Sequence, residues 1–358
     1  MPEQPYLQLV NVTKLFGKNI ILEDINLNIP YGSIFGIIGI SGSGKTTVLR
    51  ALIGFLKPEK GTVLFQSLNF RKNRTEMIRQ FGFAAQDKSF YSKLTVKENL
   101  IYFGIQYDMS YHEIEKKIPE TLKLVGLEGV ENMLAAHLSS GMQKRLDIAC
   151  AIIHEPKVLI LDEPTEDLDL RLRKEILNLL KKINKEKNVT IVLTSHLLRE
   201  IEPVCSRIAI LHNKRIQKIG TIDSLREDFS HNTEIHVESF PGKYGRMIKE
   251  LGKHKIKAVS KGHEMIIYTK KAESILSSVM NMLKKRGEKL IELDITKPTL
   301  EEIFEEITKV QETKVIDNAK IAIQSHEKES VPRRLFSKIW HKRRAKVVSE
   351  PIKQEASK

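Results

Sequence analysis

Residues 39–47 read GISGSGKTT and follow directly on the apolar run SIFGII at 33–38. Gly39, four intervening residues, then Gly44, Lys45 and Thr46 make the spacing of a phosphate-binding loop. A strand delivers the chain, and the glycines let successive backbone N–H groups turn toward one anion. The helix that follows adds its positive N-terminal end. In that pattern Lys45 reaches the β- and γ-phosphates and Thr46 holds Mg²⁺. Alone, the string also fits a plain glycine turn between a strand and a helix. Its meaning therefore depends on the rest of the chain.

A second acidic stretch supplies what the loop lacks. KVLILDEPTEDLD at 157–169 places Asp162 and Glu163 at the end of an apolar strand. Two adjacent carboxylates there can divide labour, Asp162 orienting the metal and Glu163 polarising the water that attacks the γ-phosphate. Without the loop upstream, the pair would read equally well as a cap on the next turn.

The chain has 358 residues, enough for two or three domains. Its 29% charged and 6% aromatic content suit a soluble protein. The two cysteines, Cys150 and Cys205, sit in apolar helical surroundings and read as inert core thiols, not as a disulfide framework or a metal site. The first residues resemble neither a signal nor a transit peptide, and no apolar run approaches a membrane span. If the protein works at a membrane, another chain is expected to provide the span. The net charge is +14, and residues 333–346, RRLFSKIWHKRRAK, carry seven Lys and Arg and no acid.

Periodicity organises the chain further. Alternation over 7–30 predicts an antiparallel hairpin, and GTVLF, QFGFAAQ, KVLILDE, VTIVLTS and RIAIL predict strands. Helical patterns fall at 97–107, 111–125, 141–154 and 171–187. Continuous apolar runs such as 158–161 suit strands covered on both faces, so the central sheet is expected to be mostly parallel. After residue 230 the order strand, helix, strand, strand, helix, strand over 233–296 predicts a ferredoxin-like unit. From about Lys309 the chain is polar and charged and reads as a disordered tail. An amphipathic helix at 333–346, with Leu335, Phe336, Ile339 and Trp340 as a two-turn apolar stripe, is the alternative there and would suit an anionic membrane surface.

Four more stretches join the first two in a fixed order, and together they resemble the ATP-binding cassette (ABC) ATPases over residues 5–228. LSSGMQKR at 138–145 resembles the signature motif, and FAAQDKSFYSKLTVKENL at 83–100 resembles the Q-loop and the start of the helical subdomain. PTEDLD at 164–169 is similar to the D-loop and VLTSH at 192–196 to the switch region. Phe16, 23 residues before Gly39, matches the aromatic that stacks on adenine.

The resemblance implies an α/β fold: a P-loop cassette over 1–230 with an antiparallel β subdomain and a helical subdomain at about 88–155, a ferredoxin-like accessory domain over 231–308, and a basic tail over 309–358. It implies that Glu163, His196, Lys45 and Gln86 act in ATP hydrolysis. Nucleotide binding falls to Phe16, Gly39, Ile40, Ser41, Gly42, Ser43, Gly44, Lys45, Thr46 and Thr47. Ser139, Ser140, Gly141 and Asp169 would serve the nucleotide held by another cassette, so each site needs two. Mg²⁺ would be held by Thr46, Gln86 and Asp162. The implied partners are a second cassette, identical or paralogous, and separate transmembrane permease subunits. The implied location is the cytoplasmic face of the cell membrane.

Some positions depart from the commonest pattern. Ser140 stands where a second glycine is frequent, Met142 where glutamine is, and Glu166 and Asp167 where small residues are. The SxGM form, the second domain and the ending ITKPTLEEIFEEIT resemble the subgroup serving multidrug-type and ABC-2-like exporters. The alternative from another class is a soluble ABC ATPase acting on a ribosome or nucleic acid, for which the positive charge would supply affinity.

Overall fold

The computed structural model describes residues 5–228, 233–269, 272–296, 299 and 301–305. Strands β1 (Pro5–Phe16) and β2 (Asn19–Pro30) form a hairpin. Leu7, Leu9, Val12, Leu22, Ile25, Leu27 and Ile29 are buried along one face of it. β3 (Ile34–Ile38) is buried at every residue and passes through the glycine loop into α1 (Lys45–Leu52). β4 (Lys60–Phe65) and β5 (Leu68–Asn69) complete an antiparallel sheet of order β2-β1-β4-β5.

After α2 (Arg74–Ile78) and β6 (Phe81–Ala84) the chain makes three helices, α3 (Val96–Gln106), α4 (Tyr111–Val125) and α5 (Ser140–Ile152). The sequence dictates where the first two begin. Thr95 with Glu98, and Ser110 with Glu113, form reciprocal capping boxes that satisfy the orphan N–H groups of the first turn. Gly126, at φ +71°, terminates α4 in the left-handed conformation that residues with a Cβ avoid.

The chain then alternates β7 (Val158–Leu161), α6 (Leu170–Lys187), β8 (Thr190–Ser195), α7 (Leu198–Ile201), β9 (Arg207–His212), β10 (Arg215–Gly220) and α8 (Ile222–Asp228). The central sheet has the order β10-β9-β3-β8-β7-β6; it is parallel except for β10, which returns antiparallel on β9. Its strands read as continuous apolar runs because helices and the antiparallel sheet cover them on both faces. Parallel register also places the carboxyl ends of β3, β6, β7 and β8 at one edge, where α/β sheets bind ligands.

A third sheet comes from β11 (Thr233–Phe240), α9 (Gly245–Lys253), β12 (Lys257–Lys261), β13 (Glu264–Thr269), α10 (Ala272–Lys285) and β14 (Lys289–Thr296). Its order β12-β13-β11-β14 is antiparallel throughout, the ferredoxin-like arrangement expected. Ile235, Val237, Met265 and Ile267 pack against Met247 and Leu251 of α9 and Val279 and Leu283 of α10. The elements without a sequence-based expectation are β5, β10, α2, α7 and α8, none longer than seven residues. The expected tail and its helix at 333–346 lie outside the described residues.

Both cysteines are buried and free, and burial alone pushes the Cys205 thiol up to about 12. Among the described residues no helix is long and apolar enough to cross a membrane.

Candidate nucleotide site

At the carboxyl edge of the parallel sheet lies a cavity of about 350 Å³ lined by Ser41, Gly42, Gly44, Lys45, Thr46, Thr47, Gln86, Glu163 and His196, with Ile21 and Glu166. Apart from Ile21 in β2, these residues come from four βα connections. The loop 39–44 follows β3, Gln86 follows β6, Asp162 and Glu163 follow β7, and His196 follows β8. Motifs more than 100 residues apart meet because the strands that carry them run side by side.

The glycines have separate physical reasons. Gly44 sits at φ +105° and Gly42 at φ +76°, both in the left-handed half of backbone space. A Cβ on Gly39 would lie 2.5 Å from the Leu211 carbonyl oxygen and 2.6 Å from Ser43 Oγ, so only hydrogen fits there. The Ser43 hydroxyl is buried and has no protein partner. A loop with this backbone and an uncommitted donor beside Lys45 fits a phosphate chain.

Charge is concentrated at the base of the cavity. The Lys45 ammonium donates to the carbonyls of Gly39 at 2.9 Å and Ile40 at 3.2 Å, and lies 3.1 Å from Glu163 Oε1. The other Glu163 oxygen lies 3.0 Å from His196 Nδ1 and accepts the His196 backbone N–H at 3.3 Å. Glu163 adopts φ +45°, a sparsely populated conformation for a residue with a side chain, just where β7 ends. Asp162 is buried, and its Oδ1 accepts the Thr194 hydroxyl at 2.7 Å. That same hydroxyl oxygen accepts the Glu163 backbone N–H at 2.9 Å.

Thr194 was not among the residues singled out from the sequence. It is fully buried in β8, and its only advance signal was a hydroxyl inside the apolar run IVLTS. Ile21 carried no signal at all, and Glu166 stood out only as a departure from the common D-loop.

The remaining expected residues sit elsewhere. Phe16 ends β1, half exposed, with the Lys14 ammonium 5.3 Å from its ring centre. Ser139 caps α5 by accepting the Met142 N–H at 3.3 Å, and Ser140 and Gly141 form its first turn. Asp169 caps α6 by accepting the N–H groups of Arg171 and Leu172, both at 2.9 Å. None of these lines the cavity of its own chain.

A strand, glycine loop and helix facing a carboxylate pair and a histidine, with a helical subdomain inserted between β6 and β7, define a P-loop ATPase of the ATP-binding cassette type. The ABC transporter family model matches residues 22–166. The bacitracin transport ATP-binding protein BcrA of Bacillus licheniformis is 36% identical over 62% of this chain and 71% of the relative. The linearmycin resistance ATP-binding protein LnrL of Bacillus subtilis is 28% identical over 84% of this chain and 98% of the relative. A solved dimeric ATP-binding cassette in a post-hydrolysis state with ADP and Pi is 32% identical, with TM-score 0.54 over 60% of this chain and 98% of that one. Relatives include both import and export subunits. The chain belongs to the ABC transporter ATP-binding proteins and is the ATP-binding, ATP-hydrolysing subunit of such a transporter.

Proposed function

We propose that the chain, paired with a second cassette, hydrolyses ATP to drive export through separate membrane subunits, from the cytoplasmic face of the membrane. The observation that supports the division of roles is that Glu163 contacts Lys45 with one carboxylate oxygen and His196 with the other. Lys45 binds the β- and γ-phosphates, exchanging its contact with Glu163 for theirs. Glu163, released from Lys45, polarises the attacking water as general base, and His196 holds the γ-phosphate. Thr46, Asp162 and Gln86 offer hydroxyl, carboxylate and amide oxygens, a hard donor set suited to Mg²⁺, which would neutralise charge on the phosphates. Phe16 stacks on the adenine. Ser139, Ser140, Gly141 and Asp169 complete the site of the partner cassette.

The exporter direction rests on the SxGM signature and the second domain. A nucleic-acid role is disfavoured by charge on that domain. The sheet face away from α9 and α10 carries Glu234, Glu238, Glu264, Glu292 and Asp294 against Lys257, Lys261 and Lys289, a net acidic surface that would repel phosphates. The basic segment at 333–346 is read as a contact to an anionic leaflet; unchanged Trp340 emission from a 330–348 peptide on anionic vesicles would remove that reading.

The test of the whole is Glu163→Gln. It should bind ATP, lose at least about a hundredfold in turnover, and accumulate as an ATP-bound dimer by light scattering. Turnover above about a tenth of wild type would overturn the assignment.

A further inference from the structure

α7 begins two residues after His196, and Leu197 at its N-cap position offers no side-chain cap. The missing acceptor comes from 102 residues downstream. Glu301 Oε1 accepts the backbone N–H of Arg199 at 3.1 Å and lies 3.2 Å from Arg199 Nε. A carboxylate is well placed there, since it satisfies an orphan N–H at the positive end of the helix.

Glu301 is itself held. The Thr299 N–H donates to Glu302 at 2.8 Å and the Glu302 N–H donates to Thr299 Oγ1 at 3.3 Å, a reciprocal cap. Ile303 is fully buried, and Phe304 sets its ring edge-on to His212 at the end of β9. The other oxygen of Glu301 is buried without a partner, so the carboxylate's described contacts are all made to Arg199.

The next residue of α7 has an anchor of its own. Glu200 pairs with Arg173, whose Nε donates to the Leu168 carbonyl at 2.6 Å, just ahead of Asp169. Between this doubly anchored helix and His196 stands only Leu197, whose N–H donates to Ser195 Oγ at 2.9 Å. A rotation of the first turn of α7 therefore carries His196 with it and changes its 3.0 Å contact with Glu163.

We propose that Glu301 is a positioning residue for ATP hydrolysis, acting through Arg199 and α7 to hold His196 against Glu163. The proposal rests on the roles given above to His196 and Glu163. Because Glu301 follows β14 by five residues, it also makes turnover in the cassette answer to the sheet over 233–296.

The experiment uses the full chain with Glu301→Ala, Glu301→Gln, His196→Ala and the double variant Glu301→Ala/His196→Ala. Glu301→Ala should lower kcat by roughly three- to tenfold with KM for ATP unchanged and only a small drop in Tm, since small displacements at a reacting centre are costly in rate. Glu301→Gln should recover most of that loss, because the amide oxygen still accepts the Arg199 N–H. In the His196→Ala background, Glu301→Ala should add nothing. Wild-type kcat in Glu301→Ala, or the same fractional loss in both backgrounds, would overturn the proposal. Wild-type turnover in His196→Ala would instead overturn the underlying reading of His196, and the proposal with it.

Discussion

Lys45 Nζ and Glu163 Oε1 face each other at 3.1 Å with side chains only 7% and 8% exposed, so the cation of the glycine loop and the carboxylate after β7 neutralise one another. A buried pair of this kind offers little net stability, but removing one partner strands a charge, at a cost of about 3–5 kcal/mol. Lys45→Ala should therefore lower Tm as well as ATP affinity. Adding Glu163→Gln to it should restore much of the Tm and none of the turnover. A double variant no more stable than Lys45→Ala would show that a stranded Glu163 charge is not the cause of the loss.

Sharing of the site between two cassettes is tested by mixing. Ser139→Arg should block closure while leaving ATP binding to the free chain intact; Lys45→Ala should weaken that binding. An equimolar mixture should regain about one competent site per heterodimer, seen as ATP-dependent dimerisation by light scattering. A mixture that stays monomeric with ATP would contradict sharing.

Thr194 is the hinge of the carboxylate pair. Thr194→Val keeps the shape, yet leaves the buried Asp162 oxygen and the Glu163 N–H without their partner. The expected loss is about 1–3 kcal/mol of stability. Turnover should fall further than ATP affinity, because the Glu163 backbone at φ +45° loses its tether. Thr194→Ser should recover both, and equal kcat in the Val variant would refute the role.

Acid sensitivity should arise away from the site. His154 is pushed down to about 4 by burial; its Nε2 lies 3.2 Å from the Phe81 carbonyl, and its ring stacks on Tyr107. The unfolded state therefore binds this proton first. Its contribution is fully present above the unfolded pKa near 6.5 and is lost as pH falls from there toward 4, up to about 3 kcal/mol. Denaturant midpoints measured from pH 7.5 to 4.5 should fall less steeply in His154→Gln than in wild type. Parallel slopes would assign the acid sensitivity to other groups.

The central sheet was legible because strands covered on both faces must be apolar throughout, and the loop, the acidic pair and the histidine each end such a run. The helical segments at 97–107 and 111–125 were legible from their apolar periodicity alone, and the structure shows that Thr95 and Ser110 fix their starts. What could not be read was contact between distant elements. Nothing in IVLTS announces that Thr194 reaches across to Asp162 and Glu163. Nor does the LLRE of α7 disclose that its first turn takes its cap from Glu301, because a missing local capper is silent until the downstream chain is placed.

Asp147, on α5, is almost wholly buried; burial lifts its carboxyl pKa despite Lys144 nearby, and it accepts the Ser89 N–H at 2.9 Å. Ser89 lies three residues beyond Gln86, and Ser139 caps α5, so this hydrogen bond stitches the segment after Gln86 to the helix that Ser139 opens. If Gln86 and Ser139 have the roles proposed for them, a push on the segment after Gln86 would reach Ser139 as displacement through this bond, and the two halves of the machine would communicate by rigid motion.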